Sequence, residues 1–168
     1  MKGRIASLAG VACAAAALAL AAPAMAAQSS GGRPAVSGTE HIQIMSTSAT
    51  SSTSHVIAYG VFTAGGIDHG GSKVDKLVFP NGSIRIRHVN STGGKHGFNP
   101  KTCLGKVTQP GTFKILSGTG KYAGITGHGK FLLHLLFIGA KNAQGHCTQT
   151  KPPVAFQLVI QAAGTVKL

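Results

Sequence analysis

Hydrophobic and polar residues alternate along short runs of the chain, and glycine, proline, asparagine and serine separate these runs. Alternation over four to eight residues is typical of half-buried β-strands, and no convincing amphipathic helix interrupts it. The pattern predicts about eight strands in an all-β domain. A closed antiparallel barrel or a sandwich satisfies such a series of strands. The predicted strands are 42–45, 55–64, 73–79, 83–90, 101–107, 112–116, 130–138 and 154–166.

The segment VDKLVFPNGSIRIRH carries an Asn-Gly pair, a strong short-range signal for a β-hairpin. The favoured register places Asp75 opposite His88 and Leu77 opposite Ile86, so that the apolar face carries a carboxylate beside an imidazole. A register shifted by one residue pairs Asp75 with Arg87 and turns the apolar residues outward. Burial favours the first register, because a one-residue shift exchanges the two faces.

The N-terminus carries Lys2 and Arg4, continues with an alanine-rich apolar run and reaches an Ala-Met-Ala site. This order is typical of a secretory signal peptide, with a transmembrane anchor as the alternative. The sequence therefore predicts a signal peptide over residues 1–26, cleaved near Ala26, a disordered lead-in over 27–40 and a barrel domain over 41–168. Localisation outside the cytoplasm follows, in the periplasm, the cell wall or the medium.

Cys103 and Cys147 remain after removal of the signal peptide, which takes Cys13 with it. An even pair of cysteines in an oxidising compartment predicts one disulfide bond. Two free thiols are the alternative. We expect no metal site at Cys147, because no second ligand stands at zinc spacing, and the several histidines beside glycine are expected to be solvated loop residues.

The chain is strongly basic, with 16 Lys and Arg against 3 Asp and Glu and a formal net charge of +13. Such a balance favours anionic surroundings, for example a wall polymer, a membrane surface or nucleic acid. The chain has no Trp and 2 Tyr, which argues against a platform for stacking single-stranded bases. A wall polymer or membrane surface is therefore the preferred anionic partner. The composition gives no indication of the oligomeric state.

The segment SGTGKYAGITGHGKF is dense in glycine, which permits positive φ, close backbone approach and the sharp bends of barrel corners. It resembles the glycine-rich strand-turn-strand signature of the allene oxide cyclase and dirigent-like barrels. TCLG, GHCTQTKPP and the closing AAGTVKL extend the likeness to small secreted actinobacterial proteins with that barrel, over about residues 55–168. The resemblance implies an eight-stranded antiparallel barrel with an internal cavity and, in the enzyme families, cofactor-free isomerisation or cyclisation. Those families use acidic residues in the cavity, whereas only Asp75 is expected to face inward here.

These observations predict a secreted barrel that binds a small apolar or amphipathic molecule inside, with no cofactor and no catalytic residue assigned. Asp75 and His88 form the expected polar part of the site. A binder of anionic wall polymer or membrane surface and an isomerase of the allene oxide cyclase type are the alternatives. The apolar residues expected to line the cavity are Phe79, Ile84, Ile86, Phe113, Ile115, Phe156 and Leu158.

Overall fold

The computed structural model describes residues 35–148 and 150–168, so the predicted signal peptide and most of the predicted lead-in lie outside the described residues. Within these ranges no helix has the length and hydropathy needed to cross a membrane. The strands are β1 Ser37–Ser46, β2 Thr53–Tyr59, β3 Ala64–His69, β4 Val74–Phe79, β5 Gly82–Asn90, β6 Lys95–Asn99, β7 Leu104–Gly118, β8 Thr126–Ile138 and β9 Ala155–Lys167. A 3-10 turn over Gly120–Tyr122 stands between β7 and β8.

Eight of these strands close into an antiparallel β-barrel, as the sequence predicted. β1 to β5 follow one another around the wall, β7 pairs with β5, and β9 pairs with both β8 and β1 to complete the circle. β6 lies outside this circle and pairs only with the first part of β7. Closure leaves the barrel wall without an unpaired edge, whereas β6 keeps one edge of the described sheet unpaired.

The predicted number of eight strands matches the closed barrel, whereas the described residues form nine strands, and several boundaries differ from the prediction. The predicted strand 55–64 is β2 and the start of β3, divided by a turn in which Gly60 has φ +136°. The predicted strands 101–107 and 112–116 form the single strand β7. Pro110 interrupts the sequence pattern but not the strand. Its carbonyl accepts the Ser91 N–H, so its nitrogen also faces the side where β6 pairing ends and β5 pairing begins, and the continuous β8 ladder on the other side needs no proline N–H.

The β4–β5 hairpin differs from both predicted registers. Phe79 pairs with Gly82 and Asp75 pairs with Ile86, so the turn consists of Pro80 and Asn81. Proline has the backbone φ that the second position of such a turn requires, and this places the turn one residue before the Asn-Gly pair. The ladder is shifted by two residues from the favoured register, and a shift of two keeps every side chain on its expected face.

One end of the barrel is filled by a cluster of aromatic side chains. Phe62, Phe79 and Tyr122 have ring centroids 4.9–5.9 Å apart. The glycine-rich segment places Tyr122 here, because the 3-10 turn docks on the β4–β5 turn through a hydrogen bond from Lys121 N–H to the Asn81 carbonyl, 2.8 Å. Gly120 has φ +59°, and a Cβ there would collide with the Asn81 carbonyl oxygen. The glycine-rich segment therefore closes one end of the barrel.

The other end carries a sheet extension that a disulfide stabilises. Cys103 and Cys147 form the predicted bond, with their Cα atoms 5.5 Å apart, inside the usual range for a disulfide. Cys103 precedes β7, and Cys147 lies in the connection between β8 and β9. The backbone of Cys147 pairs with that of Lys141 in an isolated antiparallel β-bridge. Because the Cys103 side chain is fully buried, the bond anchors the long β8–β9 connection to the sheet.

Candidate functional site

A cavity of about 370 Å³ opens at the end of the barrel opposite the aromatic cluster. Loop residues of the β1–β2 and β3–β4 connections surround the opening, and apolar side chains of β1, β8 and β9 form much of the wall. Its volume lies within the range of small-molecule sites, and such sites combine apolar walls with a few polar groups. The apolar lining residues are Ile42, Ile44, Leu77, Ile86, Phe113, Phe131, Leu133, Leu158, Ile160 and Ala162.

Asp75 and His88 lie together at the opening of this cavity. His88 Nε2 is 3.4 Å from Asp75 Oδ1 and 3.3 Å from the carbonyl oxygen of Gly71. Gly71 also donates its N–H to Asp75 Oδ1 at 2.9 Å. The β3–β4 loop therefore contacts both side chains and fixes the carboxylate beside the imidazole. The Asp75 side chain is 16% exposed and the His88 side chain 26% exposed.

Asp68, on β3, is the most deeply buried polar group of the cavity. Its side chain faces inward between Ser54 on β2 and Leu77 on β4, and the residue is only 4% exposed. Its Oδ1 atom is buried and has no hydrogen-bond partner in the protein. Burial, and secondarily the nearby Asp75 carboxylate, raises the pKa of Asp68 to about 7, although His88 acts in the opposite direction. Asp68 is therefore partly protonated near neutral pH.

Five of the nine residues predicted for ligand binding line this cavity: Asp75, His88, Ile86, Phe113 and Leu158. Three others, Phe79, Ile84 and Ile115, face inward as expected, but they belong to the packed core and do not line the cavity. The prediction placed Phe156 in the cavity wall as well. The structure instead places its half-buried side chain at a separate surface depression.

The prediction that only Asp75 faces inward was wrong. Asp68 was missed because the glycine-rich AGGIDH segment reads as a loop, and because Ile67, rather than Asp68, would be the expected buried residue. Glu40 was missed because it was assigned to the lead-in, whereas β1 begins at Ser37 and pairs with the end of β9. The signal that could have found both residues was the composition. Because the chain has only 3 Asp and Glu, each of them is a candidate site residue whatever the pattern of its neighbours.

Glu40 lies at the aromatic end of the barrel, away from the cavity lining. It is fully buried, its Oε2 accepts the Phe62 N–H at 3.1 Å, and its Oε1 has no partner in the protein. Burial raises the pKa of Glu40, partly offset by backbone hydrogen bonds from Phe62 and Val61. Burial likewise raises the pKa of Tyr122, with a further contribution from Glu40. The backbone bond to Phe62 assigns Glu40 a structural role at the closed end.

Charges of opposite sign are separated across the barrel wall. Glu40, Asp68 and Asp75 account for all 3 acidic residues of the chain, and each faces the interior. Every Lys and Arg in the described ranges is exposed. The cavity therefore carries its negative groups inside a cationic protein. In this part of the chain, no group of three His, Cys, Asp or Glu side chains is arranged to hold a metal ion.

Comparisons of this chain with protein-family models, with curated proteins and with solved structures gave no match.

Proposed function

We propose that this protein binds a small molecule with an apolar body and a hydrogen-bond-donating head, such as an amine or a hydroxyl, in the cavity of the barrel. The observation that carries the proposal is Asp68 Oδ1, a buried acceptor without a partner beside an apolar wall. A buried polar atom without a hydrogen bond is costly, and a ligand donor placed there would remove that cost.

The charges at the opening indicate which head group fits best. Asp68 and Asp75 are both carboxyl groups, and His88 is the sole basic side chain among the residues that line the cavity. An ammonium head would stabilise the ionised form of Asp68 and gain a charge-assisted hydrogen bond in a poorly solvated site. A carboxylate head would meet two acidic groups instead. The cavity therefore favours amines over alcohols and alcohols over carboxylates.

We further propose that the protein is exported and belongs with the small secreted barrels that its glycine-rich segment resembles. The closed eight-stranded barrel and the disulfide both support this assignment, since disulfides persist in oxidising compartments. An isomerase or cyclase activity is the second candidate, because the cavity contains two carboxyl groups where one was expected. Turnover of a fatty-acid epoxide that is lost in Asp75→Asn would support it.

Titration calorimetry with octylamine, octanol and octanoate tests the binding proposal. These probes share one alkyl chain and differ only in the head group, and we expect affinity in that order. Leu133→Trp places a large ring in the cavity and should abolish binding. Leu136→Trp, on the outer face of the same strand, should leave binding intact, because Leu136 is exposed and lies outside the cavity lining. Equal affinities for the three probes, or equal effects of the two tryptophans, would contradict the proposal.

A further inference from the structure

The outer face of the barrel carries a second concave region, separate from the cavity. Two adjoining depressions, of about 690 and 500 Å³, run across β1, β9, β8 and β7 and share His128 and Thr165. Strand pairing aligns Tyr59, His41, Ala163 and Lys130 in one outward row. Ala163 is the small member of this row, so the groove is deepest between the His41 and Lys130 side chains.

One side of this groove is an aromatic platform. The rings of His41 and Tyr59 stack with their centroids 4.9 Å apart and their planes 10° apart, and Tyr59 is 49% exposed. Gln43 and Gln161 pair directly across β1 and β9 in the next outward row and supply amide donors and acceptors beside the platform. An exposed flat ring flanked by amides suits the face and hydroxyl groups of a sugar.

The other side of the groove is cationic. Lys114, His128 and Thr165 align in an outward row, and Lys130 and Lys167 stand in the rows on either side of it. All three lysines are exposed. The chain's acidic side chains all face the barrel interior, so none neutralises this surface within the described residues. The groove therefore has three lysines without a neighbouring acidic side chain on the side opposite the aromatic platform.

We propose that this groove binds an anionic polysaccharide, with a sugar ring against the Tyr59–His41 platform and its acidic groups at Lys114, Lys130 and Lys167. Neighbouring strands are about 4.8 Å apart, so the groove is about 15 to 20 Å wide from β2 to β7, enough for several sugar units. A membrane surface is a poorer fit because the region is concave. Single-stranded nucleic acid is also a poorer fit because the platform offers one stack and no series of aromatic rings.

Binding of a uronic acid hexamer, measured by calorimetry at several salt concentrations, tests this assignment. Lys114→Gln/Lys130→Gln should lower the affinity about tenfold and reduce its salt dependence. Lys76→Gln/Lys106→Gln removes the same charge from exposed lysines outside the groove and should change the affinity less than threefold. Tyr59→Ala should weaken binding several-fold and leave the salt dependence unchanged, because stacking does not depend on ion pairing.

Several outcomes would overturn the proposal. Equal losses in the two double-lysine variants would show that only net charge matters. Binding of phosphatidylglycerol vesicles or of a single-stranded oligonucleotide more tightly than the hexamer, with the same dependence on Tyr59 and Lys130, would assign the groove to those partners. Self-association in sedimentation experiments that is lost in Tyr59→Ala would assign the face to a second copy of the chain. Because the groove shares no outward residue with the internal cavity, octylamine binding reports separately on the proposed function.

Discussion

His88 Nε2 lies 3.4 Å from Asp75 Oδ1, although the two residues are not paired across the β4–β5 ladder. Asp75 pairs with Ile86, and His88 lies two positions further along β5 on the same inward face. The contact therefore crosses the ladder diagonally, within reach of long side chains. The Gly71 backbone contacts both groups and holds them at the opening of the cavity.

The first prediction concerns the effect of Asp68 on stability. The pKa of Asp68 is raised from 3.8 to about 7 in the folded protein, so the folded state retains a proton that the unfolded chain has lost. Stability should therefore fall as pH rises from about 4 to about 7, because the unfolded state binds fewer protons in that window. Urea unfolding at several pH values should show this fall in the parent and a flatter profile in Asp68→Asn.

If Asp68→Asn is as pH-dependent as the parent protein between pH 4 and 7, Asp68 is not the group responsible. Asp75→Asn removes the secondary cause of the raised Asp68 pKa and leaves burial, so it should flatten the profile only in part.

The second prediction links the same group to ligand affinity. Octylamine remains protonated across this range, and its ammonium group pairs best with an ionised Asp68. The affinity should therefore rise from pH 5 to pH 8 in the parent protein, as Asp68 loses its proton. Calorimetry should show a smaller rise in Asp68→Asn, and an identical rise in both proteins would refute the link.

The third prediction concerns the disulfide. Cys103 and Cys147 are 44 residues apart, and in the chain-entropy model a loop of this length contributes about 4 kcal/mol to the free energy of unfolding. Replacement of both by serine should lower the urea midpoint accordingly. The β8–β9 connection should also become protease-sensitive before the barrel unfolds. An unchanged midpoint would show that the bond contributes little to the free energy of unfolding.

The fourth prediction tests how the barrel is closed. Gly120→Ala forces a side chain into left-handed backbone and against the Asn81 carbonyl, so it should cost more than about 1 kcal/mol of unfolding free energy. Gly65→Ala is the matched control, because a Cβ at Gly65 meets no atom within 4 Å and its φ is not in the left-handed region. Similar melting temperatures for the two variants would remove the role assigned to Gly120.

The barrel could be predicted from the sequence because most of its strands alternate strongly. Ile42 and Ile44 on β1 and Leu77 and Phe79 on β4 are all buried and separated by more exposed residues. The shift of the β4–β5 ladder by two residues did not disturb this prediction, since strand faces repeat every two residues.

Two strands could not be predicted because their sequences lack this alternation. All five residues of β6 are exposed, so KHGFN has no apolar face to detect. On β3 the pattern is reversed, with Ile67 37% exposed and Asp68 4% exposed. Pairing with β2 and β4, rather than hydrophobicity, determines which face of β3 points inward. The deepest polar group of the site was missed for this reason.

We propose above all that a small apolar molecule with a hydrogen-bond-donating head occupies the cavity beside Asp68. Isotope-filtered NOE spectroscopy of labelled protein saturated with octylamine tests it most directly. We expect contacts from the alkyl protons to the methyl groups of Ile86, Leu133 and Leu158, and from the carbon next to nitrogen to the residues around Asp68. Contacts confined to the outer face around Tyr59 and Leu132, or none at saturating octylamine, would contradict the account.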